Sequence, residues 1–322
     1  MNQLGSYELN KVNDSTFVGQ KPLLSILDQF PFAYGGNLVA QSLYAAYKKA
    51  EDMYPHSLHL SFCKAIPLDN PLTYNVKVIS KSNSFTKVLV EAVDVEGGIV
   101  GVTVVSFTTK NNQYERQLEW SKNPNSKNVP YKFSLTPLPM FYQYKPEDID
   151  KFDVVQCYRN LFKIATPPGF NIPNFDINSA AGDRRHGYYM KFNDFNNEEI
   201  NRLTANDEKL KKIYKYVDLG CLSDSNGLAL FYRNLNLEFS ASHLATRIIS
   251  LDQSVTFHDD DFDLQQWFYC DANLRVYNNG RCFIVTTAFN LKGTPFMTIT
   301  QEASVRMNLK VAEVANGGSY KL

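Results

Sequence analysis

Apolar and polar residues alternate along two stretches of the chain, and apolar residues at helical spacing precede each stretch. In the first, Ser57–Cys63, Thr73–Ile79, Lys87–Val93 and Ile99–Phe107 alternate with period two, as strands with one buried face do. Val95-Glu96-Gly97-Gly98 joins the last two as a hairpin turn. Upstream, residues 38–50 are strong helix formers with Val39, Leu43 and Ala46 on one face, and Gly35 and Gly36 let the backbone turn tightly before them. One buried helix followed by antiparallel strands is an α+β unit.

The second stretch has the same order. Leu228, Phe231, Tyr232 and Leu235 recur at three- and four-residue steps and predict a helix over 224–237. Ser223, Asp224, Ser225 and Asn226 stand before it as residues that cap helix N-termini. Strands follow over 245–257, 267–276, 281–289 and 297–307. The last hairpin superposes on the first without gaps at an offset of 195, with Gly98 on Gly293, Thr103 on Thr298 and Asn83 on Asn278. This is an internal repeat of two, not a solenoid. Between the copies, polar breakers and Pro137, Pro139, Pro167, Pro168 and Pro173 preclude long regular elements. Arg184–Phe192 predicts a strand, and Glu198–Lys215 a polar helix or lid-like excursion. The expected organisation is a first domain over 1–110, an irregular connection over 111–180 and a second domain over 181–322.

Composition narrows the function classes. Across 322 residues, Lys+Arg and Asp+Glu balance at 33 each, so no global field of either sign marks a nucleic-acid partner. Hydrophobic residues make up 44%, enough for a sizeable core. Cys63, Cys157, Cys221, Cys270 and Cys282 form no C-x-x-C pair and read as free thiols in a reducing compartment. No apolar run reaches the length of a membrane span, and residues 1–20 do not read as a secretory signal. His56 and His59 fall on opposite faces of a strand, and the acidic run after His258 reads as a solvated turn, so no metal site is expected. No G-x-S-x-G elbow, G-x-G-x-x-G or P-loop is present.

Two positions break the expected pattern. Asp224 places a carboxylate beside a core-bound segment, although a capping role alone would account for it. Gln301 sits in the middle of the apolar face formed by Met297, Ile299, Ala303, Val305 and Met307. A buried amide needs partners, since an unmet one costs on the order of 1–3 kcal/mol. The repeat places Ser106 at the equivalent first-copy position, so the amide belongs to the second copy alone.

The chain resembles the acyl-CoA thioesterase II family, which includes bacterial and peroxisomal enzymes. The resemblance rests on Tyr34-Gly35-Gly36-Asn37-Leu38-Val39-Ala40-Gln41-Ser42-Leu43, His56-Ser57-Leu58-His59 and Asn83-Ser84-Phe85 in the first copy. In the second it rests on Leu219-Gly220-Cys221-Leu222-Ser223-Asp224, on residues 250–258, and on Thr300-Gln301-Glu302-Ala303-Ser304-Val305-Arg306. It implies a double hotdog fold, two copies of a central helix wrapped by an antiparallel sheet. It also implies hydrolysis of acyl-CoA to free acid and CoA, with no cofactor, in a self-associating protein. By the family's pattern the catalytic residues are Asp224 at the start of the second central helix, Ser250 on the next strand and Gln301 on the last. Gly35, Gly36, Asn83, Ser84 and Phe85 then contact substrate. The chain departs from the pattern at Ser80-Lys81-Ser82, where basic residues are usual, and at Gln253 and Thr256, where His and Trp are common.

These residue types suit water attack on a thioester. Ionised Asp224 accepts a proton from the water, an effect worth ~10²–10⁴ in rate, while Ser250 and Gln301 fix its position. Backbone N–H groups around Gly220–Ser225 and Asn226 are the expected oxyanion donors. Ser250 poses a difficulty, because Ile249, Leu251, Val255 and Phe257 hold the alternate parity. It points away from their face unless a bulge intervenes. The competing class is a catalytically weak or inactive acyl-CoA-binding protein on the same fold. A dehydratase is disfavoured, since no His stands at the start of either helix. Tyr320-Lys321-Leu322 resembles a peroxisomal import tripeptide, though Tyr320 is large where a small residue is expected. The expected location is peroxisomal, otherwise cytoplasmic.

Overall fold

The computed structural model describes residues 7–25, 31–50, 52–109, 118–123, 125, 133–157, 161–168, 179–193, 201–202, 204–225, 231, 234–235 and 245–307. Among the described residues, thirteen strands form one antiparallel sheet. They are β1 (Leu9–Lys11), β2 (Thr16–Gly19), β3 (Tyr54–Phe62), β4 (Thr73–Lys81), β5 (Phe85–Val93), β6 (Ile99–Thr108), β7 (Asp153–Cys157), β8 (Phe162–Thr166), β9 (Arg185–Phe192), β10 (Ala245–Phe257), β11 (Phe268–Asn278), β12 (Arg281–Phe289) and β13 (Pro295–Met307). Their order is β1-β2-β4-β5-β6-β3-β10-β13-β12-β11-β9-β8-β7. The two copies meet at β3 and β10, where Leu60 pairs with Gln253 and Leu58 with Val255. Strands β3 to β6, moved by the repeat's 195 residues, fall on β10 to β13. The fold is α+β, a double hotdog.

Two long helices lie in the core, α1 (Gly35–Tyr47) and α2 (Glu208–Leu222). They run antiparallel: the start of α1 meets the end of α2, where the Tyr34 hydroxyl donates to the Cys221 carbonyl at 2.9 Å. Further along, the Tyr44 and Tyr214 rings pack in a tilted pair, 5.8 Å between centroids. Almost every α1 residue is buried, as expected of a helix enclosed by sheet and partner helix. Small residues permit the close crossing. A Cβ on Gly36 would collide with the Cys221 carbonyl and the Tyr34 ring, and one on Gly35 would come 2.6 Å from an Asp224 oxygen.

The second central helix, the one packed on α1, occupies 208–222, so Asp224 follows its end instead of starting it. Of the expected 224–237 helix, Phe231 and Asn234 are helical, and most of the rest lies outside the described residues. The charged run Glu208-Lys209-Leu210-Lys211-Lys212 is the exposed first turn of α2, and burial begins at Ile213. The Gly220-Cys221 pair, which looks like a loop in sequence, is the last buried turn. Residues 133–168, read as irregular, contribute the short strands β7 and β8 at the sheet's edge and a cover over the outer face of β9 and β11. There Phe141 and Phe152 pack on Tyr189, Trp267 and Tyr269. The tripeptide Tyr320–Leu322 lies outside the described residues.

Gly36→Ala is expected to destabilise the protein by about 1–3 kcal/mol through overpacking of the helix crossing. Urea unfolding followed by circular dichroism checks it; an unchanged midpoint would show that the crossing has slack.

Candidate active site

The last turn of α2 delivers Asp224. Ser223 is the C-cap, its N–H bonded to Leu219 and Gly220 carbonyls, and the Ser225 N–H bonds the Leu222 carbonyl. The N–H groups of Ser223 and Ser225 are therefore spent on the helix end. A helix C-terminus presents carbonyls, which repel an oxyanion, so the stretch 220–225 does not suit the donor role expected of it. Asn226 lies outside the described residues.

Asp224 instead reaches the N-terminus of the other helix. The α1 N-cap, Tyr34, makes no side-chain cap, and the first turn of α1 carries no acidic residue. The Asp224 carboxylate takes a hydrogen bond from the Gly36 N–H. It also lies against Gly35, which packs on the Phe62 ring. A carboxylate from the second copy thus occupies the positive end of the first copy's helix.

Ser250 and Gln301 meet it there. Gln301 Nε2 donates to Asp224 Oδ1 and, at 3.0 Å, to Ser250 Oγ. Ser250 Oγ donates to the same carboxylate oxygen at 3.4 Å. The parity difficulty at Ser250 is resolved by an irregularity in the β10–β13 pairing: Ser250 pairs with Ala303 and Asp252 with Glu302, leaving Leu251 as the extra residue of a bulge. The bulge turns Ser250 onto the inward row of Gln301 and Ala303. Gln301 is 3% exposed.

Burial is the largest influence on Asp224 and raises its pKa to about 7, against the bonds from Gln301, Ser250 and Gly36, which favour the charged form. Cys221 on α2, one turn back, is a neighbouring titratable group, and burial pushes its thiol well above the usual range. Among the described residues no group of His, Cys, Asp and Glu is arranged to hold a metal ion.

From Gln301 a cleft runs along the inward row of β13 past Ile299 to Met297, about 13 Å of strand. Tyr188, Met190, Phe268 and Cys270 wall it; Ser223 and Ser225 stand with Gln301 at its polar end. Its free volume is only about 10 Å³. Methionine walls are well suited to yield, having flexible unbranched side chains.

Asn83, Ser84 and Phe85 are not brought to this site. They form the β4–β5 turn, and Phe85 pairs with Thr108, which pairs with Tyr54 at the far end of β3 from Phe62. That end is about 25 Å of strand away. The hairpin beside the site is its repeat equivalent, β11–β12, where Cys282 pairs with Ala303, the partner of Ser250. Sequence reasoning missed Gln253, a fully buried amide whose Nε2 donates to Ser223 Oγ at 2.5 Å. The signal was available, since Gln253 interrupts the apolar parity of β10 as Gln301 does that of β13.

The family model of the acyl-CoA thioesterase N-terminal domain matches residues 28–109, and that of the acyl-CoA thioesterase C-terminal domain matches residues 180–305. The fold is similar to that of a tesB protein from Mycobacterium avium subs paratuberculosis (18% identity, TM-score 0.65, covering 94% of this chain and 98% of that one). It is also similar to acyl-CoA thioesterase II TesB2 from Mycobacterium marinum (16%, 0.62, 94% and 96%). A third similar structure is a protein of unknown function with a hot dog fold from Alicyclobacillus acidocaldarius (12%, 0.63, 94% and 97%). With both domain models matched in order over most of its length, the chain belongs to the acyl-CoA thioesterase family and is an acyl-CoA thioester hydrolase.

Proposed function

We propose that the protein hydrolyses fatty acyl-CoA by direct water attack, with Asp224 as general base. The observation that carries this reading is the convergence of Ser250 and Gln301 on one oxygen of the half-buried Asp224 carboxylate, at the polar end of an apolar cleft. Asp224 takes a proton from water as the water oxygen bonds the thioester carbon. The tetrahedral intermediate collapses with cleavage of the C–S bond, and the proton held by Asp224 passes to the departing CoA sulfur. Ser250 and Gln301 fix the water's approach.

The developing oxyanion is assigned to the N-terminal turn of α1, in place of the stretch 220–225. The helix dipole there has the right sign, and with the Gly36 N–H on Asp224 and the Asn37 N–H on the Tyr34 carbonyl, the Gly35 N–H is the donor assigned. The acyl chain follows the cleft from Gln301 toward Met297, displacing methionine side chains as it enters.

Thiol release from acyl-CoAs of graded length, wild type beside Asp224→Asn, tests the reading. The variant should lose about 10²–10⁴ in kcat. Unchanged turnover would remove Asp224 from the mechanism, and acyl-CoA binding without release by wild type would favour the binding-protein class. Because the base must be ionised, wild-type kcat/KM should rise with pH up to about 7 and then level. A profile flat from pH 5 to 9 would contradict this assignment. Cys270→Trp, which fills the cleft beyond Gln301, should reduce long-chain turnover at least about tenfold while sparing the shortest esters; equal loss at all lengths would place the acyl chain elsewhere.

A further inference from the structure

Asp224 is gripped by its carboxylate, but its backbone must also be held, because it stands beyond the last turn of α2. The hold comes through the preceding residue. Ser223 Oγ donates to the Gly220 carbonyl at 2.6 Å and accepts from Gln253 Nε2 at 2.5 Å, all within the buried interior. Gln253 and Gln301 are direct cross-strand partners on β10 and β13. Two adjacent inward amides therefore hold two consecutive residues, Gln253 on Ser223 and Gln301 on Asp224.

The repeat shows that this is no general packing device of the fold. The first-copy positions equivalent to Gln253 and Gln301 are Leu58, fully buried, and Ser106. A leucine fills the inward row of β3 with no polar demand. In β10 the amide carries a cost: Gln253 is 0% exposed, and its Oε1 has no hydrogen-bond partner among the described residues. A buried unmet acceptor is tolerated where the group's other half is needed.

We infer that Gln253 is a positioning residue for catalysis, fixing Asp224 through Ser223 without touching substrate. The inference rests on Asp224 acting as the base. Ser250, Gln301 and the Gly36 N–H face Asp224 from β10, β13 and α1, and Cys221 is its titratable neighbour on α2. None of these groups restrains Ser223 by its side chain. Without the Gln253 bond, the turn 223–225 keeps its bonds to the end of α2 but loses its tie to β10, and a displacement of about 1 Å at a reacting group costs on the order of 10²-fold in rate.

The test uses the full chain with Gln253→Met, which keeps the volume but not the donor, together with Ser223→Ala, the double variant and Asp224→Asn. Rates are taken per folded fraction from a thermal melt. Gln253→Met should lower kcat about 10–100-fold with KM within about threefold. The acid limb of kcat/KM should move toward the ordinary aspartate range as the freed carboxylate gains water. The double variant should be no slower than the slower single variant, because both remove one link. Unchanged kcat, losses that multiply in the double variant, or a lowered melting point with normal kcat and an unmoved limb would each overturn the inference. Should Gln253→Met fail to fold, Ser223→Ala carries the same readouts. Full activity in Asp224→Asn would instead overturn the base assignment and, with it, the positioning role of Gln253.

Discussion

The site depends on one carboxylate held at the N-terminus of a helix from the other copy. Helix α1 starts with two glycines and has no side-chain cap of its own, so its first N–H groups need an acceptor from elsewhere. Asp224 supplies it from beyond the end of α2. The position is a compromise. Desolvation disfavours the charge, while Gln301, Ser250 and Gly36 favour it, and the balance leaves the pKa near 7. A raised acid pKa means that the native state holds its proton where the unfolded chain has lost it. Stability is therefore complete below about pH 4 and falls as pH rises toward 7. The loss is at most about 4 kcal/mol, since Asp224 keeps some exposure. The fold is weakened over the same pH range in which the proposed base becomes ionised, as expected where function and stability oppose each other.

Much of the fold was legible because strands announce themselves by parity. Strand β10 spans the stretch its alternation marks, and β4, β5, β6, β11 and β12 fall within two residues of theirs. The offset of 195 extends beyond the matched hairpins to every strand from β3 to β6. Helix α2 was harder to read, because its first turn is charged and its last contains Gly220 and Cys221. Neither end looks helical alone, and what stabilises it is packing against α1, a tertiary contact that no local window contains.

The site was legible in part. Gln301 was found because an amide interrupts an apolar row; Gln253 interrupts its own row in the same way. Asp224, Ser250 and Gln301 came from the family pattern, and the bulge at Leu251 explains why parity alone pointed Ser250 outward. Asn83, Ser84 and Phe85 share motifs with the family but lie at the opposite end of β3. A linear motif cannot tell which of two related hairpins faces the chemistry; only the register of the joined sheet does.

That register also explains why the repeat carries one site of this composition. The equivalent position in the first copy lies near the start of α2 and the end of α1. There the orphan N–H groups are met locally: Asp207 caps α2 by accepting from the Leu210 N–H at 2.8 Å. Ser106 stands where Gln301 would be, and Pro55 where Ser250 would be. Rings fill the space, with Tyr47 packed on Phe107 and Tyr54 edge-on to Tyr216. The same unmet helix end is thus solved within one copy by an exposed cap and across the seam in the other by a buried one. Only the second solution places a desolvated carboxylate between two glycines, a serine and an amide, the setting in which the proposed base would act.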